Sequence, residues 1–359
     1  MGAVAPATLV GLLSLLGLLP ACSGGGSVGD DDAADVATPL DGYSIDYDVT
    51  VSLPSGAESS RRLVRVSRPF AGLDITVPEG STAPAGGALS DGNRLYTVHP
   101  GRLLDAGVAI PGPPPGDYRF TAVLGDLVRL GLLVPQGSAV VAGRGCDVYR
   151  TGAPLGDPLR APQVGEFADW CIDPEGLLLS ERWTLDGRPL RTTVATSVIA
   201  RRPTTPIAPD GSLPVEPNPA LTARAEALDV ERRPEVGDAS YWVASPAPGS
   251  WQLTRRLRVV TTSTLGGAPQ IDDLAYVDVY RRGVDVVVVA HRDRAFGAVV
   301  ATGLEQREAG ALGEMDVLLS PRGAELAVAR EQWVISVQGT TSVADLVEFA
   351  SALRPLSGP

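Results

Sequence analysis

Residues 140–199 read VVAGRGCDVYRTGAPLGDPLRAPQVGEFADWCIDPEGLLLSERWTLDGRPLRTTVATSVI. Apolar runs separated by turn-forming residues make this stretch a β-meander. One turn falls at Asp173-Pro174-Glu175-Gly176 and the next at Asp186-Gly187. Asp-Gly between two such runs signals a hairpin, because glycine tolerates the positive φ of a twist-matched turn. Cys146 and Cys171 lie in successive runs and form the expected disulfide. The loop that they close would contribute roughly 3 kcal/mol in a chain-entropy treatment. In a reducing compartment the same two residues would instead stand as buried thiols.

Upstream, YSIDYDVTVSLP and RRLVRVSRPFAGLDITVP alternate with period two from Tyr43 onward, as strands with one buried face do, and LSDGNRLYTVH continues the series. A stiff Pro-rich loop, IPGPPPGD, follows. Val123, Leu124, Leu127, Leu130 and Leu133 are then spaced for an amphipathic helix, ended by Pro135 and Gly137, that packs across the concave side of the sheet. Downstream, residues 201–239 are rich in proline and read as a linker with one short helix at Leu221–Leu228. In 240–355 further strands appear, among them VDVVVVA, apolar enough to be central. The closing helix has Ser342 as N-cap with Asp345 in its first turn. The expected fold is therefore α+β: an unclosed antiparallel β-barrel or curved sheet wrapped on helices (43–200), plus a smaller C-terminal α/β domain (240–355).

The first 21 residues carry the apolar run Leu9–Pro20, too short to span a bilayer, which marks a signal peptide. Leu19-Pro20-Ala21-Cys22 resembles a bacterial lipobox, so Cys22 is expected to carry the lipid anchor, with residues 22–42 as a Gly/Ser- and Asp-rich tether. Such a protein sits on the extracytoplasmic face of the membrane.

A formal charge of −12, with no lysine among its 30 basic residues, excludes a nucleic-acid partner, since phosphate binding needs a basic stripe. Enzyme signatures are missing: no H-E-x-x-H, C-x-x-C, P-loop or dinucleotide-binding glycine pattern occurs, and two histidines cannot make a three-histidine zinc site. Gly25-Gly26-Ser27-Val28-Gly29 matches a nucleophile elbow in letters, but its flanks are low-complexity. Asp169/Asp173 and Asp272/Asp273 read as turn or edge positions, and His99 and His291 as strand ends. No catalytic residue, metal or cofactor is expected. Trp170, Leu177, Leu178, Leu179 and Trp183 are the candidates to line an apolar ligand cavity, because curved sheets with unfilled interiors bind apolar molecules there. The other reading is a sheet filled by its own side chains, acting as an interaction module.

GRGCDVYR and FADWCIDPEGLLLSERWTLDG resemble the LolA-like superfamily of exported lipoprotein carriers, in particular its two-domain MucB/RseB-type regulators. The ending REQWVISVQGTTSVADLVEFASALRPL is similar to the close of their smaller domain. The resemblance implies a cavity for a lipid or lipid-like amphiphile. It also implies, as candidate partner, a membrane anti-sigma factor or another envelope protein. Members of that branch are typically soluble in the periplasm, whereas Cys22 points to an anchor at the membrane.

Overall fold

Alternation of apolar and polar residues turns most of the chain into strands. The computed structural model describes residues 40–109, 111–151, 165–209, 211–219, 221–230, 234, 240–263, 270–296 and 303–356. Cys22, the expected signal segment and the expected tether up to residue 39 lie outside the described residues. Strands β1 (Gly42–Leu53), β2 (Gly56–Ser67), β3 (Ala71–Pro78), β4 (Gly86–Asp91), β5 (Arg94–His99) and β6 (Arg102–Val108) form an antiparallel meander. Helix α1 (Phe120–Arg129) interrupts it. A second meander then follows: β7 (Val134–Val141), β8 (Arg144–Thr151), β9 (Glu166–Ile172), β10 (Leu178–Leu185) and β11 (Arg188–Ile199). Strand β11 returns to pair with β1, so the hydrogen-bonded order is β7-β8-β9-β10-β11-β1-β2-β3-β4-β5-β6.

The Pro-rich segment does not hang free. It contributes β12 (Val215–Pro217) and β13 (Leu221–Leu228), both parallel to β6. Leu221–Leu228 is thus a strand and not the short helix expected, because pairing with the next long strand satisfies its backbone. Ala223 meets Gly107 backbone to backbone: a Cβ on Gly107 would lie 2.0 Å from the Ala223 carbonyl oxygen. Glycine is required at this joint. Ile207 and Leu213 of the same segment pack against Leu89, Tyr96, Val98 and Leu103.

Beyond the joint come β14 (Trp242–Ala244), β15 (Gln252–Ser263), β16 (Gln270–Arg282), β17 (Asp285–Asp293), β18 (Glu305–Glu308), β19 (Glu314–Ser320), β20 (Gly323–Arg330), β21 (Trp333–Gly339), helix α2 (Val343–Ser351) and β22 (Leu353–Pro355). The ribbon continues β13-β15-β16-β17-β21-β20-β19-β18, and β14 pairs with β22 apart from it. As the apolar run Val286–Ala290 requires, β17 is central, covered on both faces and flanked by β16 and β21. Ser342 caps α2, its hydroxyl accepting from the Asp345 N–H at 3.1 Å.

These elements overturn the expected α+β architecture. Among the described residues there are twenty-two strands and only two α-helices, of ten and nine residues; twenty of the strands belong to one mixed sheet that does not close into a barrel. The sheet is not wrapped on helices, and 240–355 is antiparallel β with one helix, not α/β. The physical reason is local. α1 stops at Leu130 because Gly131 turns left-handed (φ 70°), well short of Pro135, and 252–339 alternates with the strand period throughout. Residues 38–359 make one compact unit. In its core, Phe120, Val123 and Leu127 of α1 join Trp170 and Leu178 to Trp333, Leu346 and Phe349.

His291, expected at a solvated strand end, is instead fully buried. Its ring stacks on Tyr241 at 4.3 Å between centroids, and its Nε2 accepts from the Trp242 N–H at 3.1 Å. Burial pushes its pKa down to about 3, outweighing the Tyr276 backbone hydrogen bond that favours the charged form. The folded imidazole is therefore neutral where the unfolded one, near 6.5, takes up a proton. Stability should be complete above pH 6.5 and fall as pH drops toward about 3, by up to about 1.4 kcal/mol per pH unit. His291→Gln should flatten that acid slope in denaturant titrations; equal slopes in both proteins would refute the assignment.

Candidate functional site

The 140–199 meander builds one wall of a cavity, starting from its turns. Asp173 is buried, and its Oδ1 accepts from the Glu175 and Leu177 N–H groups at 3.0 and 2.8 Å while Oδ2 takes the Arg144 guanidinium. A buried carboxylate held this way fixes the β9–β10 turn. Gly176 in that turn has φ 77°, and a Cβ there would lie 2.9 Å from the Thr121 nitrogen. The turn thereby abuts the start of α1 and sets the helix over the sheet. Asp186 and Gly187 both adopt positive φ, 48° and 77°, the hairpin geometry read from their sequence. Cys146 and Cys171 form the disulfide between β8 and β9, with Cα atoms 5.5 Å apart.

Strand alternation then divides the expected cavity residues. Trp170, Leu178 and Trp183 line a cavity of about 830 Å³. Leu177 and Leu179 do not; they pack with Tyr43, Ile45, Tyr47, Cys146 and Cys171 in a separate cluster. Phe70, from the turn between β2 and β3, also lines it, as does Phe120 at the head of α1, whose ring meets Trp170 edge-on at 5.7 Å. The Pro-rich loop, read as merely stiff, supplies a further wall through Pro111 and Pro113–Pro115. It is fastened at both sides. The Arg119 N–H donates to the Pro321 carbonyl at 2.7 Å, and the Arg322 guanidinium donates to the carbonyls of Pro113 and Pro114. Beneath it Asp117 is buried between two buried arginines, Arg68 at 3.0 Å and Arg119 at 2.8 Å. Burial lowers the Arg119 pKa against the pull of Asp117.

The polar part of the wall is charged. Arg62 makes a two-pronged bond to Asp74, at 2.7 Å on each prong, and reaches the Tyr118 hydroxyl at 3.2 Å. Burial acts against the Arg62 charge, but Asp74 and the neighbouring tyrosines hold its pKa well above the ordinary value. Glu181 accepts from the Trp170 indole N–H at 3.1 Å. Arg191, Arg255 and Arg322 also face the cavity, and among the described residues none of the three has a carboxylate within ion-pair distance. Arg255 lies over the Phe70 ring, 5.7 Å from its centroid. A mixed wall of this kind, aromatic and proline surfaces beside guanidinium groups, suits a molecule with an apolar body and an anionic end.

None of these arginines was singled out from sequence. They come from β2, β11, β15 and the β19–β20 turn, and no motif joins positions so far apart. His99 sits half-buried at the end of β5, outside the cavity wall, and no serine hydroxyl is hydrogen-bonded to either histidine among the described residues.

No protein-family model and no curated protein matches the chain. Among solved structures, it is similar to the MucA/MucB complex of Pseudomonas aeruginosa, with 14% identity and a TM-score of 0.28, covering 88% of this chain and 94% of that one. It is also similar to MucB in complex with MucA(peri), with 12% identity, a TM-score of 0.26 and the same coverage. For MucB alone the identity is 13% and the TM-score 0.22, over 88% of this chain and 92% of that one. The likeness is distant, and superpositions this loose transfer neither ligand nor partner.

Proposed function

We propose that this chain is a lipid-anchored extracytoplasmic lipoprotein that binds a lipid-like amphiphile in the cavity between the meander, α1 and the Pro-rich loop, without catalysis. The carrying observation is the unfilled space of about 830 Å³, bounded by Trp170, Leu178, Trp183, Phe70 and Phe120. That volume lies within the range of small-molecule sites, and it favours a container over a sheet packed solid by its own side chains. The apolar body would lie along the aromatic wall and the anionic end would face Arg191, Arg255 and Arg322. A role in envelope stress signalling, with a membrane anti-sigma factor or another envelope protein as partner, rests on the sequence resemblance at GRGCDVYR and FADWCIDPEGLLLSERWTLDG alone.

Titration with a brominated fatty acid tests the site, because a bound bromine quenches neighbouring indoles. Quenching should saturate, and Trp183→Ala should weaken binding about tenfold (~1.4 kcal/mol). The methyl ester should bind more weakly than the free acid, and Arg191→Gln should narrow that difference. A linear, unsaturable response would sink the proposal. The anchor rests on the lipobox-like Leu19–Cys22, and among the described residues no helix is long and apolar enough to cross a membrane. Cys22→Ser is expected to move the protein from the membrane fraction to the soluble one; unchanged retention would refute the anchor.

A further inference from the structure

A second cavity, of about 340 Å³, lies on the opposite face of the same sheet. Alternation proves the sidedness: Asp74 and Ala88 line the first cavity, while their chain neighbours Leu73 and Leu89 line the second. Its outer wall is the segment that leaves β11, residues 199–208, which crosses the sheet and is tied down where Ile207 joins the Leu89 cluster. Three arginines converge on it. Arg65 is held in place by Asp46 at 2.6 Å and by the Ile45 and Val64 carbonyls. Arg202 donates from Nε to the Ser67 hydroxyl at 2.6 Å, which leaves its terminal nitrogens for another acceptor. Arg201 is exposed and makes no hydrogen bond or ion pair among the described residues. Ser44, Thr204 and Thr205 stand in the same wall, and among the described residues no carboxylate does.

A wall whose described residues include three arginines and no acid is unexpected in a chain with 42 acidic and 30 basic residues. We infer that this pocket binds a phosphate ester, with Arg65, Arg201 and Arg202 around the phosphate and Leu73, Leu89 and the prolines at 203 and 206 against the rest of the ligand. Guanidinium forks match the tetrahedral oxyanion, hydroxyls supply further donors, and the volume admits a group about the size of a glycerol or sugar phosphate. The ester could belong to a soluble metabolite or to a lipid headgroup. The size of the pocket fits both sources.

Calorimetric titration of the full chain with glycerol 3-phosphate, and co-sedimentation with phosphatidylcholine vesicles with and without phosphatidylglycerol, separate the two. Saturable binding of glycerol 3-phosphate indicates the soluble source; binding only to the phosphatidylglycerol vesicles indicates the headgroup. In either case Arg201→Gln/Arg202→Gln should weaken binding at least about tenfold, and Trp183→Ala, in the first cavity, should leave it unchanged. Arg201→Gln alone removes no hydrogen bond or ion pair among the described residues, so its loss of binding separates the pocket from the fold. Absence of binding in both assays, or binding indifferent to these arginine substitutions, would overturn the inference.

Discussion

Replacing Asp117 with alanine should destabilise the protein by about 3–5 kcal/mol, because it removes the carboxylate that the buried Arg68 and Arg119 share. Arg119 already has its charge disfavoured by burial, and among the described residues its one other carboxylate, Asp285, lies 3.8 Å away. The loss would be felt beyond the triad. Asp117 fastens the Pro-rich loop that forms a cavity wall, while Arg68 also holds the Leu40 carbonyl at 2.7 Å ahead of β1. Equilibrium denaturation of Asp117→Ala should show the drop, and the affinity for the fatty-acid probe should fall with it. A change below about 1 kcal/mol would mean that water reaches the two guanidinium groups and that they are not buried as described.

Asp278→Ala should have an effect of similar size, about 3–5 kcal/mol, but without touching the cavity. Asp278 is fully buried, takes both prongs of Arg256 at 2.6 and 2.8 Å, and accepts from the Tyr241 hydroxyl at 3.0 Å. The Arg256 guanidinium also lies over the Tyr241 ring, 5.3 Å from its centroid. A double change, Arg256→Met with Asp278→Leu, removes both charges and should cost less than Asp278→Ala alone, since an apolar pair can replace a buried ion pair at little loss. If the double variant is the less stable of the two, the penalty comes from packing and not from loss of the Arg256–Asp278 pair. Fatty-acid binding measured below the unfolding transition should be unchanged in both.

The meander was legible because its turns are local. Asp186-Gly187 and Asp173-Pro174-Glu175-Gly176 act over a few residues, and the Ser342 cap and the apolar stripe of α2 do the same. The wider architecture was not legible. Leu221–Leu228, TARAEAL after its leucine, has helix-forming alanines and glutamate, yet long-range pairing with β15 and the contact at Gly107 override that preference. His291 reads as a polar residue at the end of a strand; the stacked Tyr241, fifty positions earlier, and the edge-on Trp333 make it interior. For the cavity, aromatic residues near a turn pointed to Trp170, Leu178 and Trp183. The same reasoning swept in Leu177 and Leu179, because a run of three leucines does not reveal which of them faces which side. The charged half of the wall comes from arginines that no periodicity distinguishes from solvated ones.

The position of β1 between β2 and β11 has a consequence for how the chain matures. In a polypeptide that emerges amino end first, β1 and β2 can join at once as a hairpin, but the other edge of β1 waits for a partner about 150 residues later. Until then this edge of β1, eight residues from Ser44 to Val51 in a strand with four buried apolar side chains, stands open to other chains. The disulfide between Cys146 and Cys171 can close before β11 is complete, so oxidation of β8 to β9 would present a pre-ordered sheet for β11 to extend and β1 to meet. Delayed oxidation would then lengthen the interval of exposure, and aggregation during oxidative refolding would report on it sooner than any change in the finished protein.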